Sequence, residues 1–149
     1  MGPFDWGKSG TLVGISDGTS NTVMFAENVG PKSDPGAWFG PLGLTRYASG
    51  GAITTFFPPN SLEPDRTARN RYPVGAMDGR FRSVGGLPPD VQAGGNPMEW
   101  QIMNSRSYHS GGVNACMSDG SVRFVRETID VAVWRGAGSA KGGEVTTLD

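Results

Sequence analysis

The Asp119-Gly120 pair in the last third of the chain is the feature that most constrains the fold. Apolar-rich runs flank this pair, and we predict strands at about residues 113–118 and 121–126. Asp-Gly favours positive φ at both central positions of a turn, so the pair predicts a two-residue type I′ turn. The segment is therefore expected to form a β-hairpin.

Alternating apolar residues predict that both strands of the hairpin are half buried. In the second strand, Val122 and Phe124 alternate with arginine and are expected to face the core. In a further strand predicted at residues 22–28, Val23 and Phe25 are expected to share a face. The buried face of the first hairpin strand is expected to carry Val113, Ala115 and Met117.

Shorter signals predict the other elements. Asp130 is a candidate N-cap for one or two helical turns that end at Gly136 and Gly138. The run at residues 15–22 is rich in Ser, Asp, Thr and Asn, which predicts one capped helical turn. Besides the strand at 22–28, short strands are expected at residues 52–57, 100–103 and 144–148.

The composition predicts a loop-rich fold. The 149 residues include 24 Gly and 11 Pro, and only 18% are charged, which favours short strands over long helices. We therefore expect an α+β fold, with a mainly antiparallel β-sheet, short helices and long Gly/Pro-rich loops. One domain is expected over residues 1–149, with an extended arm at 1–10 and a long irregular insertion at 58–98.

Charge and hydropathy exclude several classes of function. A net charge of −1 gives neither nucleic acid nor an anionic membrane a reason to bind through bulk charge. The chain has no run of 18 apolar residues, so no membrane segment is expected within it. Cys116 is the only cysteine, which precludes an intrachain disulfide, and its place in the hairpin predicts a buried side chain.

A family resemblance begins at His109, which is followed by nine residues and then Asp119-Gly120. This H-X9-DG spacing resembles the motif near the C-terminal end of DUF1559 proteins. An earlier run at residues 15–22, which closes on Glu27, is also similar to that family. Further anchors follow the hairpin in the same order, namely Ile129-Asp130, Trp134-Arg135 and residues 142–145.

The resemblance implies an architecture and a location. DUF1559 proteins resemble type IV pilins and type II secretion pseudopilins, which begin with a cleavable leader and a long apolar helix. Neither is found in this chain, so it is expected to be a pilin-like soluble head in which an antiparallel sheet packs on a helix. The resemblance also implies an extracytoplasmic location, in the periplasm or at the cell surface, with protein partners or a cell-surface assembly.

Two residues are candidates for catalysis. His109 is the only histidine, and imidazole is the side chain whose ordinary pKa lies near neutrality. It either acts as the base of a small hydrolase, or bonds to backbone and fixes the loop that leads into the hairpin. Ser16 lies in a Gly-x-Ser-x-Gly sequence at residues 14–18, but a nucleophile elbow also needs a preceding strand and a following helix.

Calcium is the one cofactor for which the sequence offers ligands. Asp17 with Asn21, or Asp119 with a neighbouring carbonyl, supplies the oxygen atoms that hard cations prefer. The alternative is that both aspartates stabilise their own turns. One His and one Cys are too few for a Cys/His zinc site.

Three functions remain open from the sequence. The first is an exported pilin-like structural or interaction domain without catalysis, with His109, Asp119 and Gly120 as a structural motif. The second is a small hydrolase, with or without calcium, that acts on esters or lactones. The third is a carbohydrate-binding module that uses Trp38, Trp100 or Trp134.

Overall fold

A computed structural model describes residues 3, 10–29, 53–63, 65–67, 83–85, 102, 104–143 and 148. These residues form a small α+β fold, as the composition predicts. The elements in chain order are a 3₁₀ helix at Leu12–Gly14, then β1 at Val23–Ala26, β2 at Asp65–Thr67, β3 at Ser83–Gly85, β4 at Gly112–Met117, β5 at Val122–Arg126 and α1 at Val131–Ala137.

The main sheet has three antiparallel strands in the order β1-β4-β5. Strands β4 and β5 are the predicted hairpin, each within one residue of its expected bounds. Strand β1 confirms the centre of the strand predicted at 22–28. A second sheet pairs β2 and β3 in parallel, and both of its strands lie in the segment 58–98.

The hairpin turn is longer than predicted. The backbone N–H of Met117 donates to Ser121 O, and that of Gly120 donates to Met117 O. Gly120 has a φ of 86°, whereas Asp119 has no positive φ. A turn closed by one left-handed glycine is typical of a three-residue hairpin loop, so the predicted two-residue type I′ turn is wrong.

The inner face of the sheet, which carries Val23, Val113, Ala115, Met117 and Val125, forms the core with Trp134 of α1. In β5 it is Val125, 3% exposed, that faces inward, because the strand pairing places it opposite Val113. Val122 and Phe124 are 67% and 50% exposed, so their predicted burial is wrong.

The outer face carries Phe25, Asn114, Cys116, Val122 and Phe124. A bulge at Met24 turns β1, so that Val23 pairs with Met117 and Phe25 with Cys116. Val23 and Phe25 therefore lie on opposite faces, against expectation. Cys116 is half-buried rather than buried.

Helix α1 confirms the prediction at Asp130. The Asp130 carboxylate accepts from Ala132 N at 2.7 Å and from Val133 N at 3.4 Å, which caps the first turn. The N–H of Gly138 bonds back to Arg135 O and Gly136 O and ends the helix. The short helix is held by packing, because its Trp134 is fully buried against the sheet.

Two predicted elements are absent at their expected positions. Residues 15–22 form turns rather than a helical turn, because Gly18 has a φ of 92°, which interrupts helical geometry. Residues 53–57 contribute only a single bridge, Thr54 to Asn104, since Thr55 Oγ1 and Phe56 O bond to Arg135 on α1 instead.

Several predictions fall outside the part of the chain that the structure describes. These are most of the arm at 1–10, most of the insertion at 58–98, and the strands at 100–103 and 144–148 apart from residues 102 and 148. The single-domain division stays a prediction. Within the described ranges, no helix has the length and apolar character needed to cross a membrane.

Candidate functional site

His109 forms a hydrogen bond with Glu27 on the outer side of the sheet. The Glu27 Oε1 atom accepts from His109 Nε2 at 3.0 Å. The same oxygen accepts from Asn114 Nδ2 at 3.1 Å, and Oε2 accepts from the backbone N of Asn114 at 2.8 Å. We call Glu27, His109 and Asn114 the Glu27 cluster. One of the two roles predicted for His109 had its ring bonding to backbone, but the ring bonds to this carboxylate.

A buried polar network positions His109. Its backbone N–H donates to Ser107 Oγ at 3.1 Å, and that hydroxyl donates to Gly112 O at 2.6 Å. The Asn60 side chain bonds to the same two residues: its Oδ1 atom accepts from Ser107 N at 2.8 Å, and its Nδ2 atom donates to Gly112 O at 3.1 Å. Asn60 adopts a left-handed φ of 58°, which asparagine tolerates better than most residues. These contacts fix the backbone that carries the imidazole.

Gly112 is required where the chain enters β4. A Cβ on this residue would collide with Val125 O and lie 2.9 Å from the ring of Phe124. The absence of a side chain therefore lets Phe124 lie close over the start of β4.

The Glu27 carboxylate is held in its charged form. Burial by itself raises the pKa of Glu27, but the backbone and side-chain hydrogen bonds from Asn114, together with His109, lower the pKa below its ordinary value. The His109 side chain is 55% exposed and that of Glu27 is 33% exposed. In nucleophilic triads a carboxylate likewise orients an imidazole base.

Ser16 is not joined to this pair. Its hydroxyl bonds to Asp17 Oδ1 at 3.3 Å and to Ala140 O at 3.4 Å. A 3₁₀ helix precedes it and turns follow it, whereas an elbow needs a strand and then a helix. Among the described contacts, no hydrogen bond connects Ser16 with His109, and the catalytic roles of both residues stay predictions.

Asp17 binds the C-terminal segment. Its carboxylate accepts from Gly142 N at 2.7 Å and from Gly143 N at 3.1 Å, and it is buried. Burial raises the pKa of Asp17, but these N–H groups and the Ser16 hydroxyl lower the pKa below its ordinary value. Asn21 Nδ2 donates to the backbone O of Asp17 at 3.4 Å. Both carboxylate oxygens thus face N–H donors.

Asp119 stabilises its own turn. Its Oδ1 atom accepts from the Ser121 hydroxyl at 2.7 Å and from Ser121 N at 2.9 Å. These two bonds lower the pKa of Asp119. Its backbone N–H donates to Thr19 O at 3.0 Å, which ties the hairpin tip to the early loop. Across the described ranges, no three His, Cys, Asp or Glu side chains converge in a way that could hold a metal ion.

Comparisons with known proteins identify the family of this chain. Residues 2–132 match the family described as "Protein of unknown function (DUF1559)". The chain belongs to the DUF1559 family. Neither a curated protein nor a solved structure matches it. Because the family's description names no activity, the function of this DUF1559 chain has to be argued from its own contacts.

In this DUF1559 chain the separate motifs meet in space. His109 meets Glu27, which lies 82 residues earlier, and Asp17 meets Gly142 and Gly143, which lie more than 120 residues later. We predicted no pairing of His109 with Glu27 or Asn114. A signal was present, because Glu27 closes the early motif and follows the strand that became β1.

Trp134 does not suit the carbohydrate-binding alternative. Its side chain is fully buried in the core, so it offers no face for a sugar to stack on. Trp38 and Trp100 lie outside the described residues.

Proposed function

We propose that this DUF1559 chain is a structural or interaction domain that acts through protein or surface contacts and has no catalytic site. One observation carries the proposal: the polar side chains of the family-like motifs are used within the fold. Asp17, Glu27 and Asp119 each accept hydrogen bonds from backbone N–H groups, and Glu27 also binds the only imidazole.

The outer face supports a role in contacts. Val122 and Phe124 of β5 are 67% and 50% exposed on this face. Apolar side chains that remain accessible side by side are typical of interaction surfaces. A pilin-like head at an extracytoplasmic location is part of the same proposal, and it is supported by the family resemblance of the motifs.

An activity assay tests the absence of catalysis. Purified protein is incubated with a panel of ester and lactone substrates, beside a His109→Ala variant and a Ser110→Ala control. The expected result is the same background rate for all three, with folding checked by circular dichroism. Turnover that is lost in His109→Ala but kept in Ser110→Ala would overturn the proposal.

A hydrolase is the second candidate, and the Glu27–His109 pair is the observation that favours it. In this alternative Glu27 orients His109, and His109 takes a proton from a water molecule or from a substrate hydroxyl. Glu27→Gln is the diagnostic variant, because it keeps the shape of the side chain and removes its charge. A rate that falls at least tenfold in Glu27→Gln while the fold is kept would support the hydrolase.

Calcium binding is a further proposal, for which Asp17, Asn21 and Asp119 were the predicted ligands. Its support is the charged, exposed carboxylate of Asp119 at the hairpin tip. Thermal unfolding with millimolar CaCl₂, with MgCl₂ and with EDTA tests it. An equal midpoint of thermal unfolding in all three solutions would contradict calcium binding.

A further inference from the structure

We propose that β5 is a pairing edge at which a second copy of this chain adds its own β5 in antiparallel orientation. The inference rests on the proposed interaction function and names its partner. Strand β5 is an edge of the three-stranded sheet, since the order is β1-β4-β5. Among the described residues, no strand pairs with its outer edge.

The hydrogen-bond pattern shows which backbone groups point outward. Met117 N bonds to Ser121 O, and Glu127 N bonds to Gly111 O, so these are hydrogen-bonded pairs of the β4–β5 ladder. In an antiparallel ladder such pairs alternate with pairs whose N–H and C=O groups point away from the partner strand. The outward-pointing residues of β5 are therefore Val122, Phe124 and Arg126.

The three residues that carry these groups, Val122, Phe124 and Arg126, are exposed. Only the Arg126 carbonyl has a described partner on this side, the N–H of Ile129 at 3.2 Å. An edge with unpaired N–H and C=O groups is a template for another strand.

A two-fold axis at Phe124 satisfies this pattern. With Phe124 opposite Phe124 of the second copy, Val122 lies opposite Arg126 and Arg126 opposite Val122. All three outward-pointing residues of one β5 then face the three outward-pointing residues of the other. A shift of the register by one residue would pair outward-pointing groups with inward-pointing ones and lose the hydrogen bonds.

Charge is compatible with the same register. The two arginines of β5, Arg123 and Arg126, lie opposite Val125 and Val122 of the second copy, so no two like charges are directly opposed. Like charges placed directly opposite each other destabilise a strand pair. The central position is occupied by the uncharged Phe124 of each copy.

Surface area argues for strand pairing over stacking of the two outer faces. A stable interface buries roughly 800 Å² on each partner. The exposed parts of Val122 and Phe124 supply only a fraction of that, because one aromatic side chain buries about 150–250 Å² in total. Pairing of two β5 strands would add backbone hydrogen bonds, which stacking of the two outer faces would not. The expected product is a weak dimer that depends on protein concentration.

Cysteine cross-linking tests the register in the full chain. In a Cys116→Ala background, Phe124→Cys places two thiols directly opposite each other, with Cα atoms about 5.5 Å apart. This separation lies within the range of a disulfide. Val122→Cys is the matched control, because its symmetry mate is displaced by four residues, roughly 13 Å along the strand. Under mild oxidation we expect covalent dimer to form at least tenfold faster at position 124.

Equal rates at positions 122 and 124, or no covalent dimer at either, would overturn the proposal. Sedimentation of two further variants gives an independent measurement. Phe124→Pro removes the outward N–H and should abolish the dimer, whereas Phe124→Thr keeps that N–H and should retain it at higher protein concentration. If the protein is a monomer at every concentration, only the pairing of two β5 strands is refuted. Turnover in the ester and lactone assay would instead refute the proposed function.

Discussion

The two faces of the three-stranded sheet differ in what their side chains do. The inner face packs Val113, Ala115, Met117 and Val125 against Trp134, and all five are buried. The outer face leaves Val122 and Phe124 accessible and carries the Glu27 cluster. The inner face therefore stabilises the fold, whereas the outer face holds the residues available for contact or chemistry. This difference can be tested by substitution on each face.

The largest expected effect is on the inner face. Met117→Ala should lower the free energy of unfolding by about 2–5 kcal/mol, because Met117 is fully buried in the core and the change leaves a cavity there. Val122→Ala is the outer-face control and should change it by no more than ~0.5 kcal/mol. Urea unfolding of both variants measures the difference. Similar losses would mean that the two faces are not distinct in the way described.

The turn between the two strands should show the next largest effect. Gly120→Val is expected to cost about 1 kcal/mol or more, because Gly120 has a φ of 86° and β-branched residues avoid that region. Gly120→Asn is the matched control, since asparagine adopts left-handed backbone more readily. Thermal unfolding that ranks the two variants equally would contradict the turn geometry.

Local signals were sufficient for much of this fold. The Asp-Gly turn flanked by alternating residues predicted β4 and β5, and Asp130 predicted α1. The type of turn could not be predicted, because it depends on Met117 and Ser121 closing the ladder around three residues. Which face of β5 is buried was also ambiguous. Val122 and Phe124 are the apolar residues of one face and Val125 is the apolar residue of the other, and the pairing with β4 decides between the two faces.

The candidate site was predicted only in part for a similar reason. His109 was evident as the only imidazole, but its partner Glu27 lies 82 residues away. The two meet because β1 pairs with β4 and brings Glu27 beside Asn114, with Glu27 N donating to Asn114 O at 3.1 Å. Such pairing is a property of the whole sheet, and no spacing within one motif indicates it.

A smaller effect is expected when pH changes the charge of Glu27 on the outer face. The folded state lowers the pKa of Glu27 below its ordinary value of 4.5, so the ionised carboxylate stabilises the fold above that value. This contribution is lost as the pH falls from about 4.5 through the lowered pKa. The free energy of unfolding, measured from pH 7 to pH 3, should fall more steeply for wild type than for Glu27→Gln.

Parallel curves for the two proteins would show that Glu27 does not contribute to the acid sensitivity. The comparison with Glu27→Gln is needed because the pKa values of Asp17 and Asp119 are lowered as well. Both aspartates stay in place in the variant, so their share of the acid sensitivity cancels in the difference.

The smallest effect should come from the imidazole itself. His109→Ala is expected to cost no more than ~1 kcal/mol, because the pair it forms with Glu27 is open to solvent and water competes for both groups. A double-mutant cycle with Glu27→Gln isolates the coupling between the two side chains. A coupling of about 2 kcal/mol or more would show that His109 contributes substantially to the stability of the fold, although it lies on the accessible outer face. A small coupling leaves an oriented, exposed imidazole that the fold does not require for its stability, and the activity assay then decides whether it has a chemical role.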